Sequence, residues 1–481
     1  MSEKILKEIK VDLCIIGAGS GGLSVAAGAA QLGLDTVLLE RAEMGGDCLN
    51  TGCVPSKALL AAGKRAQMHR KDDINGIAPH EPEIDFAAVK EHVFETIKTI
   101  EPNDSPERFR SLGVNVILAE GRFIGPDTVQ SGEQTIKARH FVIATGSRAI
   151  VPPIPGLDKE QVFTNESIFA LREKPEHLLI IGGGPIGIEM AQAHRRLGCE
   201  VSVFDMAQIL PQDDQSNVEI LRQALLKEGV NLHERIAIKE VKHSASGVSL
   251  IIEKEGQLET FTGTHLLVAA GRAPNTESLD LEKAGVDYDR KGIKVDKRLK
   301  SSNKKIFAIG DVSGGPQFTH VAGYHAGLII RQICFKLFWT KVDYKALPWV
   351  TYSDPELAQV GLTEASARKQ YGDAIKVVEW HFDENDRAIA ERATTGQIRV
   401  VTNKKGLILG ASMVGSQAGE LIGIWALAIS SRQKISAITA MIAPYPTFGE
   451  ISKRTAGAWY TPSLFSDKSR RFVRWLQKLP F

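Results

Sequence analysis

Two cysteines, Cys48 and Cys53, stand in the stretch GGDCLNTGCVPSK with four residues between them, in a chain of 481 residues that holds only five cysteines. A close thiol pair offers three chemistries: a disulfide that cycles, part of a metal site, or two inert reduced thiols. Zinc sites use four ligands, usually at spacings of about two to four residues. Only two cysteines cluster here and no histidine pair lies beside them, so no metal site is assigned. The N-terminal stretch MSEKILKEIKVDLCIIGAG lacks the apolar run of a signal peptide. The expectation is a cytoplasmic protein, where structural disulfides are rare and a close pair is more often catalytic. Val54 to Ala66 reads as a helix whose first turn suits Pro55. A thiol near a helix N-terminus feels its positive end, which lowers its pKa from about 8.5 toward roughly 3.5–7.5 and favours the reactive thiolate.

The elements on either side must position that pair. IKVDLCII reads as a buried strand, followed by GAGSGG, an Ala-rich helix from Leu23 to about Leu32, and a second strand, TVLLE. Gly17, Gly19 and Gly22 form G-x-G-x-x-G, the turn that lets a pyrophosphate approach backbone and meet a helix N-terminus. Glu40 ends the second strand, where an acid holds a ribose hydroxyl. The device returns in HLLIIGGGPIGIEMAQAHRRLGCEVSVFD, with Gly182, Gly184, Gly187 and Asp205. Twenty-three positions separate Gly17 from Glu40, and the same number separates Gly182 from Asp205. A second echo joins HFVIATGSRA to HLLVAAGRAP, each a strand ending in a small-residue turn. Thr145, Gly146 and Gly271 in those turns are assigned to cofactor binding, and a third strand, KIFAIGD, ends at Asp311.

Two dinucleotide sites in one chain point to electron transfer between two cofactors, a flavin and a nicotinamide, because side chains alone carry no hydride chemistry. Asp205 favours NADH over NADPH, since a carboxylate accepts a free 2′-hydroxyl and repels a 2′-phosphate. Met206, Ala207 and Gln208 supply no arginine for that phosphate, while Arg195 and Arg196 on the nearby helix are the candidates that would admit NADPH.

GGDCLNTGCVPSK resembles the redox-active disulfide segment of the class I pyridine nucleotide-disulfide oxidoreductases, which include dihydrolipoamide dehydrogenase, glutathione reductase and mercuric reductase. The resemblance runs from about residue 10 to about residue 460 and keeps both nucleotide motifs in the family's order. It implies that Gly17, Gly19, Gly22 and Glu40 bind FAD, with Asp311 on the ribityl chain. Cys48 becomes the interchange thiol and Cys53 the charge-transfer thiol beside the isoalloxazine. Lys57 matches the family lysine near flavin N5, and Glu189 its carboxylate partner. Electrons then run from NADH to FAD, to the Cys48–Cys53 disulfide, and on to a small oxidised substrate.

IAPYPTFGEISKR departs from the thiol-disulfide members, whose segment resembles HxHPTxxE. Glu450 is kept, but Tyr445 stands at the acid–base histidine and Ala443 at the other. Histidine titrates near neutrality, whereas tyrosine, with a pKa of about 10, donates a hydrogen bond but is a poor base. Mercuric reductases carry a tyrosine in a similar segment, together with a C-terminal cysteine pair; here the last cysteine is Cys334. The leading reading is a mercuric reductase-like enzyme acting on a sulfur compound or a metal ion. Dihydrolipoyl dehydrogenase is the alternative, and a redox-sensing flavoprotein without turnover is the reading from another class. His320 and His325 are weighed as substitute acids against a packing role. Cys14, Cys199 and Cys334 are read as core residues.

The expected fold is α/β: two Rossmann-like dinucleotide-binding domains and a C-terminal α+β dimerisation domain. The FAD-binding domain takes residues 1–150 and 276–347, the NAD(P)-binding domain 151–275 and the dimerisation domain 348–465. VPPIPG is the linker after the first segment. The apolar ELIGIWALAI suits burial in a homodimer whose active site is shared across the interface. A formal net charge of +2, with 24% charged residues, leaves no broad electrostatic footprint for nucleic acid. No stretch is long and apolar enough for a spanning helix. Residues 466–481 form a basic amphipathic tail: Phe472, Trp475, Leu476 and Leu479 follow helical spacing among Lys468, Arg470, Arg471, Arg474 and Lys478. Such a tail suits the anionic inner face of a membrane, against the alternative of packing on the partner subunit.

Overall fold

The computed structural model describes residues 7–70, 76–245 and 247–480. The apolar run at the N-terminus forms the strand Lys7–Ile16, with Leu13, Cys14 and Ile15 fully buried. It is central in a seven-stranded sheet. Thr36–Leu39 and Gln134–Ile143 pair parallel on its two sides, and Val114–Ile117 extends the sheet beyond Thr36–Leu39. Strands buried on both faces read as continuous apolar runs, as this one does. The chain returns late: Ile306–Ala308 adds to Gln134–Ile143 in parallel and delivers Asp311 to the sheet's carboxyl end.

A second parallel sheet orders Val230–His233, Glu200–Phe204, His177–Ile181 and His265–Val268. Two strands bridge the sheets: Ser147–Ala149 pairs antiparallel with Arg272–Pro274, so the two small-residue turns face one another. The C-terminal region is a five-stranded antiparallel sheet, from Pro348–Thr351 through Ile375–His381, covered by helices around the buried Trp425. The mixed α/β class is the one expected.

The helices differ from expectation mainly at their ends. The first begins at Ser20, three residues early, and packs on Thr319–Ile333, where a Cβ at Gly28 would meet Ile330 Cδ1 at 3.0 Å. The redox segment makes a short helix, Gly46–Asn50, and a long one, Cys53–Arg70. The long helix packs against Pro185–Arg196, close enough that a Cβ at Gly63 would meet the Ala193 carbonyl oxygen at 3.2 Å. ELIGIWALAI is split between Ala418–Leu421 and Gly423–Ser430, with Trp425 buried and Leu427 66% exposed.

Candidate active site

The two glycine loops superpose in their logic. Gly17 and Gly182 adopt φ of 104° and 114°, which a side chain would strain. A Cβ on Gly22 would overlap the Gly17 carbonyl oxygen, and one on Gly187 that of Gly182. Gly19 and Gly184 are extended residues capping their helices without any side-chain bond, so the first-turn N–H groups are free for an anion. A Cβ on Gly184 would meet nothing within 4 Å, and one on Gly19 only Gly46 Cα at 3.9 Å. The acids are held alike. Glu40 accepts from Ala18 N at 2.7 Å and Ala42 N at 2.9 Å; Asp205 accepts from Gly183 N at 2.6 Å and Ala207 N at 2.7 Å. Open loops, free N–H groups and anchored acids fit two dinucleotides.

Between the loops lies a polar chain that sequence reasoning missed. Ser147 Oγ donates to Asp311 Oδ2 at 2.5 Å, Arg272 Nε donates to Ser147 Oγ at 2.8 Å, and the Arg272 guanidinium lies 3.2 Å from Asp47. Burial pushes the Asp311 carboxyl up, with Ser147 and Arg272 opposing the shift. Thr145 Oγ1 donates to the Asn275 carbonyl at 2.7 Å, and the Asn275 N–H donates to the Gly146 carbonyl at 3.0 Å. Gly271 accepts from Ile150 N at 3.0 Å. Thr145, Gly146 and Gly271 thus stitch the two crossing strands, with a Cβ on Gly146 meeting nothing. The only signal for Ser147 and Arg272 was the echo of GSRA in GRAP.

The thiols meet beside this chain. Cys48 is half-buried and Cys53, the first residue of its helix, is exposed. The two thiols hydrogen-bond to each other, and this bond moves their acidities apart. Cys53 falls to about 6, chiefly because Cys48 donates to it, with Thr319 and Lys57 assisting. Cys48 is pushed up, first by the same bond and then by burial, against lowering by Thr319 and Ser20. Thr319 Oγ1 lies 3.4 Å from Cys53 Sγ, and it too was missed. The opposed shifts mean that the two thiols of the reduced pair lose their protons in separate steps.

Lys57, one turn along, reaches across to the second nucleotide unit and pairs with Glu189 at 2.8 Å. Glu189 is 4% exposed, and its other oxygen accepts from Tyr352 N at 3.0 Å. Lys57 Nζ sits 4.4 Å from the centroid of the Tyr352 ring. A buried carboxylate with both oxygens hydrogen-bonded holds its lysine in place.

Other candidates are not brought to the pair. Tyr445 is 67% exposed and donates to Asp386 Oδ2 at 2.8 Å; Glu450 pairs with Arg454 at 3.0 Å. None of these bonds reaches a cysteine of the same protomer. His325 is no acid: Gly310 N donates to its Nδ1 at 3.1 Å, Tyr344 Oη lies 2.6 Å from its Nε2, and burial pushes its pKa down to about 4. It packs beneath the Gly310–Asp311 turn instead. His320 Nε2 donates to the Pro348 carbonyl at 2.9 Å. Arg195 and Arg196 do not serve the nucleotide: Arg195 bonds the Glu228 and Cys199 carbonyls, and Arg196 pairs with Glu228 and Asp354. Cys14 and Cys199 are buried, as expected, whereas Cys334 is only partly buried. Burial pushes the Cys199 thiol up to about 11, so it stays neutral. Among the described residues no cluster suits a metal ion, and no helix is long and apolar enough to cross a membrane.

The tail forms the helix Asp467–Leu476. Phe472 and Trp475 stack at 5.8 Å and remain 57% and 56% exposed.

The family described as pyridine nucleotide-disulphide oxidoreductase matches residues 11–326, and its dimerisation domain matches 347–456. A mercuric reductase of Staphylococcus aureus is 34% identical over 448 residues, 92% of this chain and 82% of that protein. A dihydrolipoyl dehydrogenase of Bacillus subtilis is 34% identical over 457 residues, 93% of this chain and 96% of that one. The solved HOCl-induced flavoprotein disulfide reductase RclA of Escherichia coli superposes with a TM-score of 0.82 at 27% identity, over 93% of this chain and 99% of that one. The chain belongs to the pyridine nucleotide-disulphide oxidoreductases, enzymes that work with FAD and NAD(P)H, and it carries that family's dimerisation domain.

Proposed function

We propose that this enzyme passes electrons from NADH to a small oxidised substrate through Cys48 and Cys53. FAD, held by the Gly17–Gly22 loop, Glu40 and Asp311, supplies the two-electron exchange between nicotinamide and sulfur. The Gly182–Gly187 loop and Asp205 hold the nicotinamide dinucleotide. Lys57, fixed by Glu189, places a positive charge where the cofactors meet and favours negative charge arriving there. Cys53 carries the thiolate and faces the flavin. Cys48 keeps the proton and meets the substrate. When the pair gives up two electrons, an S–S bond forms and the Cys48 proton leaves; when it is recharged, that bond breaks and the proton returns. Tyr445 and Glu450, which meet neither cysteine at home, serve the pair of the other protomer in a homodimer, with the Tyr445 hydroxyl as hydrogen-bond donor.

The observation that carries this reading is the placing of Cys53 at the start of a helix, with Cys48 in the turn before it and Lys57 one turn on, fixed by the buried Glu189. The substrate class is a sulfur compound or a metal ion; the similar RclA has been solved as a Cu(II) complex. The test is NADH oxidation by the FAD-loaded protein across disulfides, Hg(II), Cu(II) and quinones, for wild type and Cys48→Ala. Clients of the thiols lose turnover in the variant. If every accepted substrate survives Cys48→Ala, the thiol route is wrong. The dihydrolipoyl dehydrogenase relative keeps a second reading open, and lipoamide-dependent NAD reduction decides it.

The tail is assigned to the anionic inner face of a membrane, on its exposed aromatic stripe and flanking cations. Co-sedimentation with vesicles containing phosphatidylglycerol should be lost in a chain ending at Ser466; equal binding removes this assignment.

A further inference from the structure

Asp205 alone reads as a mark of NADH, yet an arginine distant in sequence stands beside it. Strand Val230–His233 pairs with Glu200–Phe204, so the residues following each lie together at the sheet's carboxyl edge. The backbone knits the two loops: Asp205 N donates to His233 O at 2.9 Å, Arg235 N to Ala207 O at 3.0 Å, and Ile236 N to Asp205 O at 3.2 Å. Arg235 takes φ of 57°, a left-handed conformation uncommon for a long side chain. Its guanidinium donates to Gln208 Oε1 at 3.4 Å, on the loop that follows the ribose-binding acid. The neighbouring Glu234 feels the charge of Arg235 only after that of Arg222. Glu234 accepts from Ile209 N at 2.6 Å and pairs with Arg222 at 2.8 Å. Among the described residues Arg235 forms no ion pair. Asp205 meanwhile spreads its charge over the Gly183 and Ala207 N–H groups.

We propose that Arg235, with Gln208, receives the 2′-phosphate of NADPH, so that the nucleotide site admits both dinucleotides despite Asp205. A guanidinium is suited to a phosphate dianion, and its fork offers two donors to one group. The inference rests on the proposal that the Gly182–Gly187 loop takes the pyridine nucleotide. Arg235 is a specificity-determining residue there and touches no reacting atom.

The test uses the FAD-loaded full chain and two competitors of NADH, adenosine 2′,5′-bisphosphate and 5′-AMP. In Arg235→Ala the bisphosphate should weaken about tenfold or more, the loss expected for a charged hydrogen bond, while 5′-AMP shifts less than twofold. The NADPH-to-NADH ratio of kcat/KM should fall by a similar factor, and Arg235→Lys should recover part of it. Arg235→Gln checks that the loss follows charge rather than loop packing. An unchanged bisphosphate constant and an unchanged ratio in Arg235→Ala would overturn the assignment while NADH still reduces the flavin. Failure of either dinucleotide to reduce the flavin in wild type would instead sink the nucleotide site itself.

Discussion

The two glycine loops share dihedral angles, overlapping third glycines and anchored acids, but differ in what lies over them. Gly45 crosses the first loop, donating its N–H to the Ala18 carbonyl at 3.0 Å and bridging to Gly19. The redox helices start from that cover. Leu210 crosses the second loop in the same way, donating its N–H to the Gly183 carbonyl at 3.0 Å, but among the described residues no bridge joins it to Gly184. The same local device is thus crossed by the chain after its acid in both places, and only in the first does that chain go on to form the redox helices. Lys57 and Glu189 then join the two, one from each side.

Matched substitutions test this contrast most strongly. Gly19→Ala and Gly184→Ala both have room for a methyl group, so both should fold. The first should lose bound flavin almost completely, read as flavin per chain. The second should keep its flavin but reduce it about a hundredfold more slowly with NADH, because a displaced pyrophosphate misplaces the nicotinamide. If Gly184→Ala also lost flavin, the contrast would break. Next in size, Lys57→Met should slow flavin reduction by about a hundredfold with flavin content unchanged. A rate within twofold of wild type would leave the Lys57–Glu189 pair a packing feature only.

The thiols sharpen the comparison at the first loop. Cys53 has its pKa moved below that of a free thiol, to about 6, so its charged form is present above that pH and is lost as the pH falls through it. Thiolate absorbance of the reduced protein should follow that curve, with one equivalent titrating and Cys48 silent. Thr319→Val removes a donor to the thiolate and should move the curve to higher pH. A titration unchanged by Thr319→Val would remove Thr319 from the site. The smallest effect is expected at the tail: ending the chain at Ser466 should leave NADH-driven flavin reduction within about twofold, since surface changes away from a site are usually mild.

Much of this was legible beforehand, and the reason is local. Gly17, Gly22 and Glu40 lie within one strand–turn–helix–strand unit, where their placement follows from backbone reach, and the same holds for Gly182, Gly187 and Asp205. Cys48 and Cys53 stood out because they lie close together in a chain with only five cysteines. Thr319, Arg272, Ser147 and Arg235 were not legible. Each acts on a partner delivered by a crossover or a neighbouring strand, and no spacing rule marks them. Arg195 and Arg196 misled for the same reason: their helix lies near the nucleotide loop, but their side chains turn to Glu228 and Asp354. His325 suggested an acid by type, and burial made it a fixed hydrogen-bonding post.

Short-range structure was therefore written in the order of residues: two glycine turns, two acids anchored on backbone N–H groups and a thiol pair at a helix start, all set by steric limits on backbone and by contacts a few residues apart. Tertiary structure alone brought Thr319 to the thiols, 266 positions from Cys53. It alone brought Lys57 to Glu189, 132 positions away, and laid Arg235 beside Asp205. Those meetings are set by how sheets and helices pack, and packing is a property of the whole chain.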